Sequence, residues 1–232
     1  MSKFIKEKIY SGWELKYFDK AINFRQYQYS LIKNKIKGNL AEVGPGNAVL
    51  LKYYIKKAKK IYLFEKSKKI YKTLKKKLDK KIIIKNTKLD INKKFDTIIY
   101  FDVLEHIKNW KSELRKAYKC LKINGNILIN VPAFNLIYSD FDKEIGHYRR
   151  YTVNDFLREK RYLKNSEIQN KYYDSIGFFL SLLSKIFIRE YKKNFDKKIK
   201  LWDNFFLLSR ILDFFTFNIF GKSLFISIKK IK

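Results

Sequence analysis

Short apolar runs and longer amphipathic segments alternate along most of the chain. The apolar runs are rich in Ile, Leu, Val, Tyr and Phe and several end at Gly, Pro or Asn, which predicts buried strands. The segments between them repeat apolar residues at intervals of three and four, which predicts helices. The predicted strands lie at 39–43, 61–65, 82–84, 96–101, 126–131, 166–173 and 223–230, and the predicted helices at 48–57, 67–78, 111–121 and 153–159.

This alternation of strands and helices predicts an α/β fold with a parallel sheet that is covered by helices on both faces. Open sheets of this kind bind ligands outside the carboxyl ends of their strands. The residues that follow each predicted strand are therefore the first place to look for chemistry.

The first predicted strand ends in an acid and a glycine-containing turn. Glu42 precedes Gly44 and Gly46, and Glu65 ends the second strand. Glycines in this turn allow the backbone to pass close to a nucleotide-like ligand, and an acid after the second strand can accept both ribose hydroxyls. Ala48 stands near the place where a nicotinamide dinucleotide site would have a third glycine. The acidic turn suits a ligand that carries an ammonium and a sulfonium group better than a pyrophosphate, which favours S-adenosylmethionine (SAM).

Two further acids follow the third and fourth predicted strands. Asp90 lies between apolar residues and is placed to contact an adenine amino group, with an ordinary turn residue as the alternative. The segment from Asp102 to His106 can begin a helix, with Asp102 as N-cap and Glu105 completing a capping box. That structural role is compatible with a role in cofactor binding.

The motifs EVGPGNA and FDVLEHI, together with Glu65 and Asp90, resemble class I SAM-dependent methyltransferases. The resemblance implies a Rossmann-like fold whose seven-stranded, mostly parallel sheet ends in a reversed hairpin. It implies SAM as cofactor, with Gly44 and Gly46 against the methionine part, Glu65 on the ribose and Asp90 at the adenine. Ala48 departs from the glycine common in this family's turn. The cofactor-binding residues expected from the pattern are Glu42, Gly44, Gly46, Glu65, Lys66, Asp90, Ile91, Asp102, Val103 and His106.

The resemblance also suggests an organisation for the whole chain, as a single methyltransferase domain at 1–232. A helix at 17–37 is expected to cap the cofactor, and 38–160 forms the SAM-binding core. An apolar helical insertion at 174–220 precedes the last strand at 222–230.

The segment GHYRRYT at 146–152 resembles a bacterial group of these enzymes and follows the fifth strand, at the mouth of the expected site. His147 is the candidate catalytic base, because the pKa of free imidazole lies near neutrality. Tyr138, Arg149 and Arg150 are candidate substrate-binding residues, the arginines for a carboxylate or phosphate. The alternative is that His147 and the two arginines tie this loop to the sheet.

The formal net charge of +31 invites a nucleic-acid interpretation, but only eight of the 53 basic residues are Arg. The joint abundance of Lys, Ile, Asn, Tyr and Phe is typical of A/T-rich coding, whereas phosphate recognition favours Arg. A nucleic-acid partner is therefore not expected, although the surface would attract anions and anionic membranes.

The apolar insertion at 174–220 has two interpretations. It can be a helical cap that packs on itself and on the N-terminal helix, or a pair of helices lying in the plane of a membrane beside basic residues. The longest apolar stretch, 176–188, is too short to span a bilayer. The single Cys120 excludes an intrachain disulfide, and no metal-ligand spacing is present, so no metal site is expected. We expect a cytoplasmic monomer or homodimer, with peripheral contact at the inner face of the membrane as an alternative.

The sequence thus predicts SAM-dependent methyl transfer to an O, N or C nucleophile on a small molecule or a lipid- or glycan-linked acceptor. Two alternatives stay open: an RNA or protein methyltransferase, and a non-catalytic SAM-binding or membrane-docking module. A nicotinamide-dependent oxidoreductase is the least favoured.

Overall fold

A computed structural model describes residues 12–187 and 192–232. Residues 1–11 of the predicted single domain, and residue 188 at the end of the predicted apolar stretch, lie outside the described residues. The strands are β1 Asn39–Val43, β2 Lys60–Phe64, β3 Ile83–Lys85, β4 Phe95–Phe101, β5 Leu121–Pro132, β6 Ser166–Tyr173 and β7 Ser223–Lys230. The α-helices are α1 Leu15–Phe18, α2 Ile22–Ile32, α3 Leu51–Tyr54, α4 Lys68–Lys77, α5 Trp110–Cys120, α6 Asp140–Glu144, α7 Val153–Glu159, α8 Ser175–Phe187 and α9 Phe195–Phe215.

The seven strands form one sheet in the order β3-β2-β1-β4-β5-β7-β6. The first five strands are parallel, whereas β7 runs antiparallel to both β5 and β6. The predicted α/β fold with a reversed final hairpin is confirmed. The strand order reverses beside β1, so the carboxyl ends of β1 and β4 flank the crevice in which such sheets bind ligands.

Helices cover both faces of the sheet. On one face, Leu114 of α5 and Phe156 of α7 join the buried cluster of the strands. On the other face, Phe24 of α2 and Phe206 of α9 do so. Successive residues of β1 point to opposite clusters, as the period of two in a strand requires.

The apolar insertion folds as α8 and α9, and the inner face of α9 packs on the N-terminal helix. The carboxylate of Asp203 accepts hydrogen bonds from the backbone amides of Asn23 (3.1 Å) and Phe24 (2.9 Å) in the first turn of α2. The carboxylate of Asp213 accepts one from the amide of Ser175 at the start of α8 (2.9 Å). The start of α2 therefore receives its cap from α9. The start of α8 is capped both by Asp213 and by the preceding residue, Asp174, whose carboxylate accepts a hydrogen bond from the amide of Gly177 (2.9 Å).

The outer face of α9 remains apolar and exposed. Phe214 is 74% exposed and Phe215 is 70% exposed. The exposed apolar residues of α9 are Leu201, Phe205, Leu207, Leu208, Ile211, Phe214 and Phe215. Among the described residues, no helix has both the length and the apolar character to cross a bilayer.

Two of the predicted helices are wrong in extent. The helix predicted at 48–57 is only the single turn α3, Leu51–Tyr54. It cannot begin at Ala48, which adopts a left-handed conformation (φ +56°). The helix predicted at 17–37 is two helices, α1 and α2, and its helical part ends at Ile32.

The fifth strand begins earlier than predicted. α5 ends at Cys120 and β5 starts at once, so Asn124 and Gly125 lie inside the strand rather than in a loop after the helix. Asn124 has φ +62°, and the pairing with β4 shifts register between Phe95 and Thr97. Over this interval β5 has three more residues than β4, an irregularity of the β-bulge type. The turn-forming pair Asn-Gly lies in this irregular stretch.

Candidate active site

The turn after β1 brings the backbone close to the loop after β4. Gly44 has φ +65°, and a Cβ atom placed on it would lie 2.7 Å from Cγ2 of Val103. Its amide donates to the carbonyl oxygen of Phe64 at the end of β2 (2.8 Å). Gly46, with φ +55°, lies against Leu15 of α1. Only glycine fits at Gly44 without moving Val103, so the turn is built for close approach.

Glu42 is a buried acid at the end of β1, directly before this turn. It is 3% exposed, and the hydroxyl of Tyr54 from α3 donates a hydrogen bond to its carboxylate. Burial raises the pKa of Glu42 to about 7, against the lowering effects of the Tyr54 hydrogen bond and the charge of Arg25. The carboxyl group is therefore partly protonated near neutral pH, and a cationic ligand nearby would favour its charged form.

Glu65 follows β2 and joins the glycine turn to the start of α4. Its carboxylate accepts a hydrogen bond from the amide of Ser67 (2.7 Å), and the amides of Gly46 and Lys66 also stabilise it. Burial nevertheless raises its pKa. The structure thus brings the predicted ribose acid and the predicted glycine turn together, while the side chain of Lys66 is exposed.

The predicted adenine-side residues lie in the loop after β3. Asp90 accepts a hydrogen bond from the amide of Asn92 (3.1 Å), and its carboxylate lies 3.7 Å from the ammonium of Lys85. Ile91 is 59% exposed. Asp90 therefore shapes its own turn, and its role at an adenine stays a prediction.

Asp102 ends β4 in a left-handed conformation (φ +57°) and takes part in a chain of hydrogen bonds. The amide group of Asn130 on β5 donates to Asp102 (2.6 Å), and the hydroxyl of Tyr173 on β6 donates to Asn130 (2.5 Å). Arg25 of α2 lies 3.4 Å from the other carboxylate oxygen. The chain links three strand ends to the helix that was expected to cap the cofactor.

The capping box proposed for this segment is wrong. The short 3-10 helix Leu104–His106 begins after Val103, with no side-chain cap, because Asp102 is turned towards Asn130 and Arg25. The Glu105 side chain does not reach back to the helix start. It is 1% exposed, and burial raises its pKa well above the usual range.

His106 and His147 meet at the mouth of the site. Their ring centroids are 4.7 Å apart in an edge-on arrangement. Nδ1 of His147 lies 2.7 Å from Oδ1 of Asp142, which places a carboxylate behind the candidate base. Burial, and then the neighbouring His147, lower the pKa of His106 to about 3, so this ring is neutral at physiological pH.

Asp142 is the centre of the loop that contains the GHYRRYT segment. Burial would raise the pKa of Asp142, but the hydrogen bond from His147 and the charge of Arg150 outweigh it and lower the pKa to about 2. Nη2 of Arg150 lies 3.0 Å from this carboxylate, which also closes the capping box of α6 with Ser139. The contacts of Asp142 with His147 and Arg150 were not predicted from sequence.

The candidate substrate-binding residues are occupied by contacts within the protein. Tyr138 donates its hydroxyl to the carbonyl of His147 (2.7 Å). Arg149 donates to the carbonyls of Ile107 (3.2 Å) and Lys108 (3.0 Å). Arg150 is 6% exposed. These contacts support the alternative in which the arginines tie the loop to the sheet, and substrate binding by these three residues stays a prediction.

Several polar residues at the site were not singled out from sequence. Asn130 interrupts an apolar strand, which is a signal that could have identified it. Arg25, Tyr173 and Lys222 carry no local signal, because their partners are far away in the chain. Burial lowers the pKa of Lys222, whose ammonium lies 4.3 Å from the ring centroid of Trp202.

Comparison with known proteins agrees with this geometry. A family model described as a methyltransferase domain matches residues 16–176. Haemonchus contortus phosphoethanolamine N-methyltransferase 2, solved with S-adenosyl-L-methionine, is similar with a TM-score of 0.63 and 11% identity, over 99% of this chain and 61% of that one. A SAM-dependent methyltransferase from Archaeoglobus fulgidus is similar with a TM-score of 0.59 and 14% identity, over 96% and 100% of the two chains.

The plantazolicin methyltransferase BamL, solved with a desmethyl plantazolicin analogue and S-adenosylhomocysteine, is also similar. Its TM-score is 0.59 at 14% identity, over 94% of this chain and 90% of that one. No curated protein matches this sequence. The chain spans about three fifths of the length of the Haemonchus enzyme.

The sheet order, the glycine turn and the acid after β2 define the fold of a class I SAM-dependent methyltransferase. The chain belongs to the methyltransferase domain family, because the family model covers well over half of it. The predicted methyltransferase class is confirmed at the level of family and fold, and the similar Haemonchus structure contains the predicted cofactor, SAM.

Proposed function

We propose that this protein transfers the methyl group of SAM to a nucleophilic O, N or C atom of a small-molecule, lipid-linked or glycan-linked acceptor. The observation that carries the proposal is the meeting of the Glu65 carboxylate with the glycine turn at Gly46. Bound SAM would supply an electrophilic methyl group on its sulfonium, and the protein's own residues would hold both reactants in line.

The residues fit such a cofactor. Gly44 has no Cβ atom and packs against Val103, so the backbone of the turn lies close to the loop after β4. A ligand bound at these strand ends would lie against that backbone. Glu65 would bind the ribose hydroxyls, and Asp90 with Ile91 would lie beside the adenine. Glu42 would stabilise the positive charge of the ligand once its proton has left.

His147 is the candidate base for an acceptor that must lose a proton. Asp142 holds Nδ1, which fixes the orientation of the ring and leaves Nε2 to accept the proton. Acceptors that react without losing a proton first need only to be positioned behind the sulfonium.

The outer face of α9 favours an amphiphilic acceptor over a freely diffusing one. Exposed phenylalanines on this helix lie beside a groove of about 500 Å³ whose lining includes the cations Lys171 and Arg210 together with Leu207 and Ile211. Apolar side chains next to cations suit a lipid with an anionic headgroup.

Calorimetric titration with S-adenosylhomocysteine tests the cofactor assignment. Micromolar binding to the wild-type protein and its loss in Glu65→Ala would support the site, with Glu167→Ala on the exposed side of β6 as a matched control. Absence of binding to the wild type would refute the proposal and favour a docking module instead.

The acceptor class is tested with methyl-labelled SAM and an extract of the source cells. We expect label in the solvent-extractable lipid fraction or in low-molecular-weight products. Label confined to RNA or to protein would replace the proposed acceptor with one of the two macromolecular alternatives.

A further inference from the structure

A buried carboxyl group whose oxygens have no hydrogen-bond partner in another described residue lies after β4, next to the proposed methyl-transfer site. Glu105 is 1% exposed, and neither of its carboxylate oxygens has a hydrogen-bond partner in another residue within the described parts of the chain. Polar groups buried in this way are rare and costly, so they call for an explanation such as an ion.

The chain contains two histidines in total, and both lie beside this carboxyl group. Nε2 of His147 is 3.8 Å from Oε1 of Glu105. One ligand atom from each of Glu105, His106 and His147 lies within 4.8 Å of the others. Local spacing could not reveal this cluster, because His147 is far from the other two residues along the chain.

Both imidazole rings are held in place by other contacts. Asp142 binds Nδ1 of His147 at 2.7 Å, and His106 is hydrogen-bonded to the backbone of Gly146. A carboxylate or a backbone carbonyl behind a histidine is the usual arrangement around a metal-ligating imidazole, because it fixes the orientation of the ring.

We propose that Glu105, His106 and His147 form a binding site for a divalent first-row transition-metal ion of the Zn²⁺ type. Two imidazoles and one carboxylate suit Zn²⁺, Fe²⁺, Co²⁺ or Ni²⁺, whereas Mg²⁺ and Ca²⁺ prefer sites made of oxygen ligands. Bonds of about 2.0–2.2 Å would draw the three ligand atoms closer together than they are now. The movement would come from the Glu105 side chain, whose carboxylate oxygens no hydrogen bond to another described residue holds.

Three protein ligands leave one coordination position open. An oxygen or nitrogen atom of the acceptor fits that position, next to the turn where the cofactor is proposed to bind. This use of the open position rests on the proposed function, whereas metal binding by the three residues does not. A bound metal would occupy Nε2 of His147, so this ring cannot act as a base at the same time.

Cobalt is the probe for the experiment, because its visible spectrum reports the coordination geometry directly. Untagged, chelator-treated and dialysed protein is titrated with Co²⁺ by absorption and with Zn²⁺ by calorimetry. We expect one ion per chain, a tetrahedral or five-coordinate Co²⁺ spectrum, and displacement of Co²⁺ by Zn²⁺. Because the chain has only two histidines and one cysteine, few other sites could produce that spectrum.

The variants Glu105→Gln and His147→Asn are each expected to weaken Zn²⁺ binding by about tenfold or more. Glu144→Gln, a change of the same kind at a carboxylate of α6 that pairs with Lys192 instead, should bind as the wild type does. Circular dichroism confirms that each variant is folded.

S-adenosylhomocysteine titrations on the same samples separate the two proposals. Wild-type protein that binds S-adenosylhomocysteine but neither metal refutes the metal site and leaves the proposed function intact. Metal binding that survives in both Glu105→Gln and His147→Asn also refutes it. Metal binding without S-adenosylhomocysteine binding leaves the metal site standing and refutes the proposed function.

Discussion

At the scale of single residues, Glu42 shows how burial prepares a charge for a ligand. Its side chain is 3% exposed. The Tyr54 hydroxyl donates a hydrogen bond to its carboxylate. Burial holds its pKa at about 7. A ligand that brings positive charge would lower that pKa, so binding and proton release are linked.

The linkage predicts a pH dependence for SAM affinity. In the wild type, Kd should fall as pH rises from 6 and level off above about pH 7, because deprotonated Glu42 attracts the cationic ligand. Below pH 7 the slope is at most about tenfold per pH unit, since one proton is released. Glu42→Gln should remove the part of the slope that is due to Glu42. Calorimetry across this range measures both proteins. Equal slopes would show that Glu42 does not sense the cofactor.

Asp142 makes a different contribution, because it holds a buried arginine in place. Asp142→Asn removes the charge opposite Arg150 and the strong partner of His147. Since breaking a buried pair leaves an uncompensated charge, the free energy of unfolding should fall by about 3 kcal/mol. Asp140→Asn on the same helix, at a carboxylate that is 82% exposed, should leave the melting temperature nearly unchanged. Similar denaturation midpoints for the two variants would refute this role.

At the scale of elements, α9 stabilises two other helices through its buried carboxylates. Asp203 caps α2 and Asp213 helps to cap α8. The rings of Trp202 and Phe206 on α9 also pack on Phe24 of α2. The insertion and the N-terminal helix are therefore one packed unit next to the strand ends. The interpretation of the insertion as a helical cap gains support from these contacts.

Removal of one cap tests this coupling. Asp203→Ala should lower the free energy of unfolding by about 1–2 kcal/mol, because two amides in the first turn of α2 lose their acceptor. It should also weaken SAM binding, since Arg25 of the same helix contacts Asp102. Asp196→Ala in the first turn of α9, where the carboxylate is about half exposed and pairs with Lys20, is the control and should have little effect on either measurement. Unchanged SAM affinity in Asp203→Ala would show that α2 does not help to form the cofactor site.

The elements also show what sequence patterns can predict. β6 and α7 were predicted to the residue and β7 to within one residue, because their runs have a clear periodicity and well-marked ends. The predicted helix after the glycine turn was too long, since apolar spacing does not reveal the left-handed conformation of Ala48. Patterns of local spacing thus predicted the elements, and their errors lie where the backbone turns sharply.

The candidate site also contains some residues whose placement could be predicted from sequence and others whose placement could not. Strand order alone brings Gly46 and Glu65 together, so this pair could be predicted from sequence. The hydrogen bonds between Asp102, Asn130 and Tyr173 join three different strands, and only the folded sheet reveals them. The cluster around Glu105 depends on a loop that returns to β4 after some forty residues, for which no local pattern exists.

At the scale of the whole molecule, strong positive charge and an exposed apolar helix occur together. The formal net charge is +31, and Phe214 and Phe215 lie fully on the outer face of α9. Clusters of exposed apolar side chains on one helix are typical of surfaces that bind partners or membranes. The positive charge makes an anionic bilayer the complementary surface, since attraction and apolar insertion then act together.

Co-sedimentation with vesicles of mixed phosphatidylserine and phosphatidylcholine measures this association. We expect binding at low salt that weakens as ionic strength rises, because exposed charges are screened beyond about 10 Å at 0.1 M salt. Phe214→Ser with Phe215→Ser should reduce the partition coefficient by about a hundredfold or more, because burial of each phenyl side chain contributes on the order of 1.5–3 kcal/mol.

The matched control replaces two exposed apolar residues elsewhere, Ile123 (63% exposed) and Tyr162 (47%), by serine. An equal loss in the two double variants would assign the binding to charge alone. Absence of wild-type binding at low salt would refute membrane contact. It would favour the interpretation of α9 as part of a helical cap over the site. Binding that depends on Phe214 and Phe215 would instead place the strand ends at the bilayer surface, where a lipid-linked acceptor could reach the methyl-transfer site without leaving the membrane.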